Sequence, residues 1–267
     1  VKFRDGSVKK IQDSEEAKRK YNEVVEIIYF GDLLVPYGDY KNRNHALDKP
    51  AYVEQYWLQQ VRKAGGESEL MVSFNEALEI SRKFGVPLHP NYIYYWNQIN
   101  YEEFLGLVDW IATGVISEGK LILPYTQSDK ERFSKGKRAL ELIGCEHKVS
   151  IENVVLDEVR GESILFNLGF DANFGNREKN ILKIKEIGEN EVLEIVNKLC
   201  GLEIKDKSGS FVGSRMGRPE KAKLRKLVGS PNSLFPVGFE GGRLRSVQVA
   251  CDVGSVKSDF PIYFCAG

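Results

Sequence analysis

The run Val25-Glu-Ile-Ile-Tyr-Phe-Gly-Asp-Leu-Leu-Val-Pro-Tyr-Gly-Asp39 reads as two short apolar strands, each closed by a Gly-Asp pair. The β-branched and aromatic residues from Glu23 to Phe30 suit a pleated, half-buried surface. Gly31-Asp32 ends that strand, Leu33-Leu34-Val35 forms the next, and Gly38-Asp39 ends it in turn. Short strands with such sharp connections point to a small closed barrel. Upstream, Asp5-Gly6 marks a hairpin-like turn within Val1 to Ile11. Ser14 to Tyr21 reads as a short charged helix with Ser14 as its N-cap.

Downstream the pattern changes period. Tyr52 to Lys63, Ser73 to Phe84, Tyr101 to Ile111, Lys130 to Ile143 and Glu189 to Leu199 space their apolar residues as amphipathic helices. Ser73 with Glu76 forms a capping box, and Gly85 and Gly144 are C-terminal stops. Between these helices, His147 to Val159 reads as an extended pair. Leu202 to Lys205, Phe211 to Gly213 and Leu234 to Val237 return to strand composition. The expected fold class is therefore α+β, with β-rich ends (residues 1–43 and 201–267) around a mostly helical insertion (44–200). The chain has neither an internal repeat nor a low-complexity tract.

The second β-rich end carries the densest charge. Between Ser214 and Lys226 stand six cations, Arg215, Arg218, Lys221, Lys223, Arg225 and Lys226, against the single anion Glu220. The whole chain balances 38 Lys+Arg with 38 Asp+Glu. A neutral protein with one such segment has focused its positive potential, as a phosphate-binding surface requires. Zero net charge argues against indiscriminate coating of nucleic acid, so any polyanion contact is local. Gly217 and Pro219 set a turn ahead of a helix-forming stretch. Arginine there would grip phosphate bidentately and lysine would act as a mobile point charge. The plainer alternative is a solvated helical face.

Other candidates point to packing. At 267 residues and 42% hydrophobic content, the chain can bury a sizeable core. The four cysteines, Cys145, Cys200, Cys251 and Cys265, lie far apart without a Cys-x-x-Cys pair. That spacing fits a reducing cytosol better than disulfides or a self-contained zinc site. No signal peptide and no membrane-length apolar run occur. The chain starts at Val1 rather than Met and stops at Phe264-Cys265-Ala266-Gly267, so both ends read as cut from something longer. His45 sits in a polar loop. His89, between Pro87 and Pro90, reads as a local turn-holder. Cys145-x-His147 reads as packing rather than zinc. Asp171-Ala-Asn-Phe-Gly-Asn176 supplies one carboxylate, too few for two-metal chemistry. Asp32 and Asp39 read as backbone-bonding turn residues. The aromatic group Tyr92, Tyr94, Tyr95, Trp96, Tyr101, Phe104 and Trp110 reads as core. No Ser-His-Asp arrangement marks a nucleophile.

Taken together, several ordered segments resemble the large subunit of archaeal family-D DNA polymerase. Phe211-Val-Gly-Ser-Arg-Met-Gly-Arg-Pro-Glu-Lys-Ala-Lys223 resembles a signature of that family, and Val25 to Asp39 resembles its paired Gly-Asp strands. Ala51-Tyr-Val-Glu54 with Trp57, Val86-Pro-Leu-His-Pro90 with Trp96, Leu123-Pro124, Gly144 with His147, and Leu234-Phe-Pro-Val-Gly238 continue the series. The resemblance covers essentially the whole chain. It implies the first of two double-psi β-barrels, like those of cellular RNA polymerases, split by the helical insertion. The family's metal-binding aspartates lie in an Asn-Ala-Asp-Phe-Asp-Gly-Asp motif on the second barrel, and that motif is missing from this sequence.

The resemblance further implies a DNA-directed DNA polymerase dependent on Mg2+, cytoplasmic, with metal ligands outside this chain and the isolated chain inactive. Lys221 and Lys223 would act in catalysis, while Arg215, Arg218, Arg225 and Lys226 would hold DNA or nucleotide phosphates. Implied partners are primer-template DNA, dNTP, the rest of the large subunit, a small exonuclease-type subunit and a sliding clamp, with no membrane. Cys265 would be the first ligand of an incomplete zinc element. The competing expectation is a non-catalytic barrel module that docks nucleic acid or an acidic partner through the cationic helix. A small-molecule enzyme on the same barrel lacks any visible nucleophile or cofactor motif.

Overall fold

A computed structural model describes residues 1–36, 52–171, 174–188, 190–207, 210–215 and 236–257. It divides into two compact units, Val1–Met216 and Gly217–Gly267. Mixed helix and sheet place it in the α+β class.

The chain opens with β1 (Lys2–Phe3) and the Asp5-Gly6 turn, where Gly6 takes a φ of +87°. Helix α1 (Ser14–Lys20) follows. Its cap is Asp13 rather than Ser14: the Asp13 carboxylate accepts from the Glu16 amide at 2.7 Å, and Ser14 is already helical. Strand β2 (Val24–Glu26) pairs antiparallel with β1 and stops well short of Phe30.

Gly31-Asp32 does not close a strand. It begins β3 (Gly31–Pro36), which pairs in parallel with β8 (Ser210–Arg215). The register runs from Gly31 opposite Ser210 to Pro36 opposite Arg215. Gly31 has a φ of +71°, which glycine adopts without a Cβ clash, and the chain swings there into the new strand direction. A parallel partner so distant in sequence leaves no local signal, which explains the misplaced turn.

Helices α2 (Glu54–Lys63), α3 (Phe74–Phe84) and α4 (Tyr101–Ala112) fall close to their expected bounds. Ser73 and Glu76 form the reciprocal capping box, and Gly85 ends α3 in the left-handed conformation. Asn100 and Glu103 make the same device for α4. The single helix expected over Lys130 to Ile143 is two, α5 (Gln127–Arg132) and α6 (Ser134–Leu142). Phe133 breaks them, turning its ring into the core to stack on Trp110 at 6.2 Å. Helices α4 and α6 then meet through glycine. A Cβ on Gly136 would stand 2.5 Å from the Gly106 carbonyl oxygen.

The middle also holds a sheet that the sequence reading did not anticipate. Strands β4 (Val115–Ser117), β5 (Lys120–Pro124), β6 (Lys148–Val149) and β7 (Asn153–Leu156) form an antiparallel sheet in the order β4-β5-β7-β6. Only the β6–β7 hairpin matches the extended pair read after His147. That pair ends early, because Asp157 caps α7 (Glu158–Asn167) through the Arg160 amide at 2.8 Å. Helices α8 (Arg177–Ile187) and α9 (Val192–Cys200) complete the layer. Residues Leu202 to Lys205 form no strand.

One core joins these elements. Trp57, Trp96, Phe104 and Trp110 are essentially inaccessible, and Tyr92 and Tyr94 are buried with them. Each tryptophan N–H finds an acceptor: Pro87 O for Trp57, Asn167 Oδ1 for Trp96 and Pro124 O for Trp110. The aromatic cluster is packing, with its polar edges satisfied. In the second unit, a turn of 3₁₀ helix (Gly238–Gly241) packs on α10 (Val247–Val253). A Cβ on Gly241 would come within 2.6 Å of Val237.

Candidate phosphate-binding site

The β3–β8 ladder delivers the chain to Arg215, the first cation of the charged segment, opposite Pro36. Arg218, Lys221, Lys223, Arg225 and Lys226 lie outside the described residues, as do Cys265, His45 and Asp39.

The segments that precede β3 are held by a buried ionic knot. Lys137, on α6, donates to Glu141 Oε1 at 2.6 Å, to the Gly6 carbonyl at 2.9 Å, and to His147 Nε2 at 2.9 Å. Glu141 Oε2 accepts from Lys2 at 2.9 Å and from Arg138 at 3.0 Å. Arg138 also grips Glu26 with both terminal nitrogens, at 2.7 and 2.8 Å. The knot ties β1, the Gly6 turn, β2 and α6 together just upstream of β3. Burial pulls the Lys137 ammonium below its usual value, with Glu141 opposing that shift. Burial raises the Glu141 carboxyl, but Lys137, Lys2 and Arg138 outweigh it and hold the net value low.

Both ring nitrogens of His147 are engaged, Nδ1 donating to the Cys145 carbonyl at 2.7 Å and Nε2 accepting from Lys137. Burial and the neighbouring Lys137 charge hold His147 down to about 3. Burial pushes the Cys145 thiol up to about 12. A zinc ligand needs a thiolate and a free imidazole nitrogen, so this pair does not fit one. His89 is equally committed: Nδ1 accepts from the Asn91 amide at 3.2 Å and Nε2 donates to the Leu70 carbonyl at 3.0 Å. It holds the turn, as its flanking prolines suggested.

The Asp171 loop is closed by Asn176, whose side chain accepts from the Asp171 amide and donates to the Gly169 carbonyl, both at 2.9 Å. Among the described residues no three His, Cys, Asp or Glu side chains converge on one point. Mg2+ demands several oxygen ligands in octahedral array, so the described side chains do not fit it.

A cavity of about 350 Å³ opens where Gly31 enters β3. Its walls include Lys10, Arg160 and Lys207 together with Glu146, Tyr29 and Tyr95. Three of these six are cations from separate stretches of sequence. Sequence reading missed Lys207 and Arg160, because no charge run surrounds either.

The family model described as DNA polymerase II large subunit DP2, central domain, matches residues 1–265. A protein of Archaeoglobus fulgidus named DNA polymerase II large subunit is 37% identical over 256 residues, covering 94% of this chain and 21% of the relative. One of Nanoarchaeum equitans with the same name is 33% identical over 310 residues, covering 99% and 24%. A third, of Thermoplasma volcanium, is 34% identical over 267 residues, covering 99% and 23%. The chain thus spans between a fifth and a quarter of the relatives it matches.

Proposed function

Because the chain belongs to the family of the DNA polymerase II large subunit central domain, we propose that it lines part of the active site of a DNA-directed DNA polymerase. The observation that carries this reading is the match over residues 1–265, which includes the whole cationic segment. The parallel β3–β8 ladder supports it, since it joins the two β-rich ends on either side of the insertion. That pairing is compatible with a split double-psi barrel, which is the fold proposed for residues 1–43 and 201–267.

In this reading Lys221 and Lys223 stabilise the charge that spreads over non-bridging oxygens during nucleotidyl transfer. Arg215, Arg218, Arg225 and Lys226 hold the phosphates of primer-template DNA and of the incoming dNTP. The acidic ligands for Mg2+ come from another part of the large subunit, so the isolated chain does not synthesise DNA. The rest of that subunit, a small exonuclease-type subunit and a sliding clamp are its proposed partners, in the cytoplasm. No helix among the described residues is long and apolar enough to cross a membrane.

The test is primer extension by the complete enzyme carrying Lys221→Ala and Lys223→Ala. Incorporation should slow by about 100- to 1,000-fold, in keeping with lost electrostatic stabilisation of even one contact, while DNA affinity changes less. An unchanged rate removes both lysines from the reaction. Weakened affinity with unchanged turnover would instead favour a docking module.

A further inference from the structure

Lys207 is a half-buried ammonium without a carboxylate among the described residues to pair with. Its Nζ donates to the Pro90 carbonyl at 2.8 Å and stands 5.5 Å from the centre of the Tyr95 ring. An ammonium carries three donors, and two of them have no acceptor among the described residues. Lys10 contributes a second ammonium with no carboxylate partner among the described residues.

The one carboxylate on the cavity wall is already taken. Glu146 Oε1 accepts from Arg160 at 2.7 Å, and its Oε2 accepts from the Lys10 amide at 3.1 Å. Arg160 gives its other terminal nitrogen to the Asn91 carbonyl at 2.9 Å. With Glu146 balancing Arg160, Lys10 and Lys207 leave the cavity two positive charges in excess. Lys10 is exposed, but Lys207 is partly buried, and burying an uncompensated charge is costly unless a partner of opposite sign arrives.

Apart from Lys9, which pairs with Glu16, and Asn91, the rest of the wall is mainly aromatic and apolar. Tyr29 anchors its hydroxyl on the Leu142 carbonyl at 2.5 Å and meets Tyr95 edge-on at 4.9 Å. Such a wall can flank a sugar or base while ammonium groups take the charge. Volume, sign and lining together fit a phosphate with part of its nucleoside.

We infer that this cavity, between Lys10, Lys207 and Arg160, is a second phosphate-binding site, taking either a backbone phosphate of a nucleic-acid strand or the phosphates of a free nucleotide. The inference rests on the polymerase reading only for the origin of the polyanion. Arg215 lies eight positions after Lys207, so the two Cα atoms are within about 29 Å of one another, the limit of extended chain. One short strand can therefore touch both.

The test is binding of a fluorescent single strand of about 12 nucleotides, and separately of a deoxynucleoside triphosphate, by the full 267-residue chain. Lys10→Gln with Lys207→Gln should weaken the responsible ligand about tenfold. If that ligand is the strand, the salt slope should also fall by about 1.4, two contacts at roughly 0.7 each. Loss for the strand alone identifies a backbone contact, and loss for the triphosphate alone identifies a nucleotide site. Lys10→Arg with Lys207→Arg keeps the charge and should restore binding, which separates lost contact from lost structure. Should both ligands bind the Gln variant with unaltered affinity and slope, the site does not exist. A slowed primer extension in the Lys221 and Lys223 variants would then still stand, so the two readings fail separately.

Discussion

Lys137 Nζ donates to Nε2 of His147 at 2.9 Å, inside a buried ionic knot where both side chains are almost inaccessible. The imidazole must stay neutral to accept that bond, and burial together with the adjacent Lys137 charge favours that form.

Acid should therefore unfold the chain partly through His147. An unfolded histidine takes up its proton near pH 6.5, and the folded one near 3. Between those values the unfolded state binds more protons, so stability falls as pH falls. One such group contributes at most about 1.4 kcal/mol per pH unit. Glu141, whose carboxyl is also held low, adds in the same direction nearer pH 4 and below. Urea unfolding at pH 7, 6 and 5 should show a smaller loss for His147→Gln than for the unaltered chain. Equal losses would remove His147 from the acid response.

Removing Lys137 strands its partners. Lys137→Ala leaves Glu141 to Lys2 and Arg138 alone and orphans the Gly6 carbonyl and His147 Nε2. Breaking a buried pair from one side costs roughly 3–5 kcal/mol. Chemical denaturation should show a loss of that size, while Lys18→Ala, in an exposed pair with Glu15, should stay within about 0.5 kcal/mol.

The glycine contact between α4 and α6 has no slack. Gly136→Ala would force a methyl group against the Gly106 carbonyl oxygen. Overpacking of this kind costs about 1–3 kcal/mol, which a thermal melt would register as a lower Tm. Gly65→Ala is a poor control because its φ is positive. Ala64→Ser, in open surroundings at the end of α2, is better and should leave the melt almost unchanged.

Thiol chemistry should separate the cysteines. Cys145 is buried and its thiol is pushed up to about 12, whereas Cys251 is exposed. An aromatic disulfide reagent at pH 8 should modify Cys251 at once and Cys145 only after unfolding. Rapid native labelling of Cys145 would contradict its place in the core.

Lys207 should titrate within reach of ordinary buffers. Burial, with the charge of Lys10 adding and Glu54 and Glu146 opposing, brings its ammonium down to about 8. The ligand contribution argued for its cavity should then fade as pH rises through 8. Acetylation at Lys207, followed by mass spectrometry, should climb over the same interval.

Helix ends were the most legible part of this sequence. The Ser73–Glu76 box and the Gly85 stop are complete within a few residues, so their chemistry is visible locally. Strand pairing was not. Val115 to Pro124 gives two short strands whose meaning depends on β7, some thirty residues on. Gly31-Asp32 carries turn composition, yet its partners Ser210 and Phe211 turn it into a strand. The cationic segment stood out because its charges are consecutive. Lys207, Arg160 and Lys10 did not, since only folding brings them to one cavity.

The ladder between Gly31 and Arg215 sets an order of events during synthesis. Some 170 residues intervene, and among the described residues the early strand has no parallel neighbour until the last of them has left the ribosome. Closing so long a loop costs entropy that rises only logarithmically with length, but high contact order slows folding. Compaction of the intervening helices and sheet shortens that search by bringing the two strands near one another first. Lesions deep in the insertion would thus act at a distance, by leaving β3 and β8 unjoined.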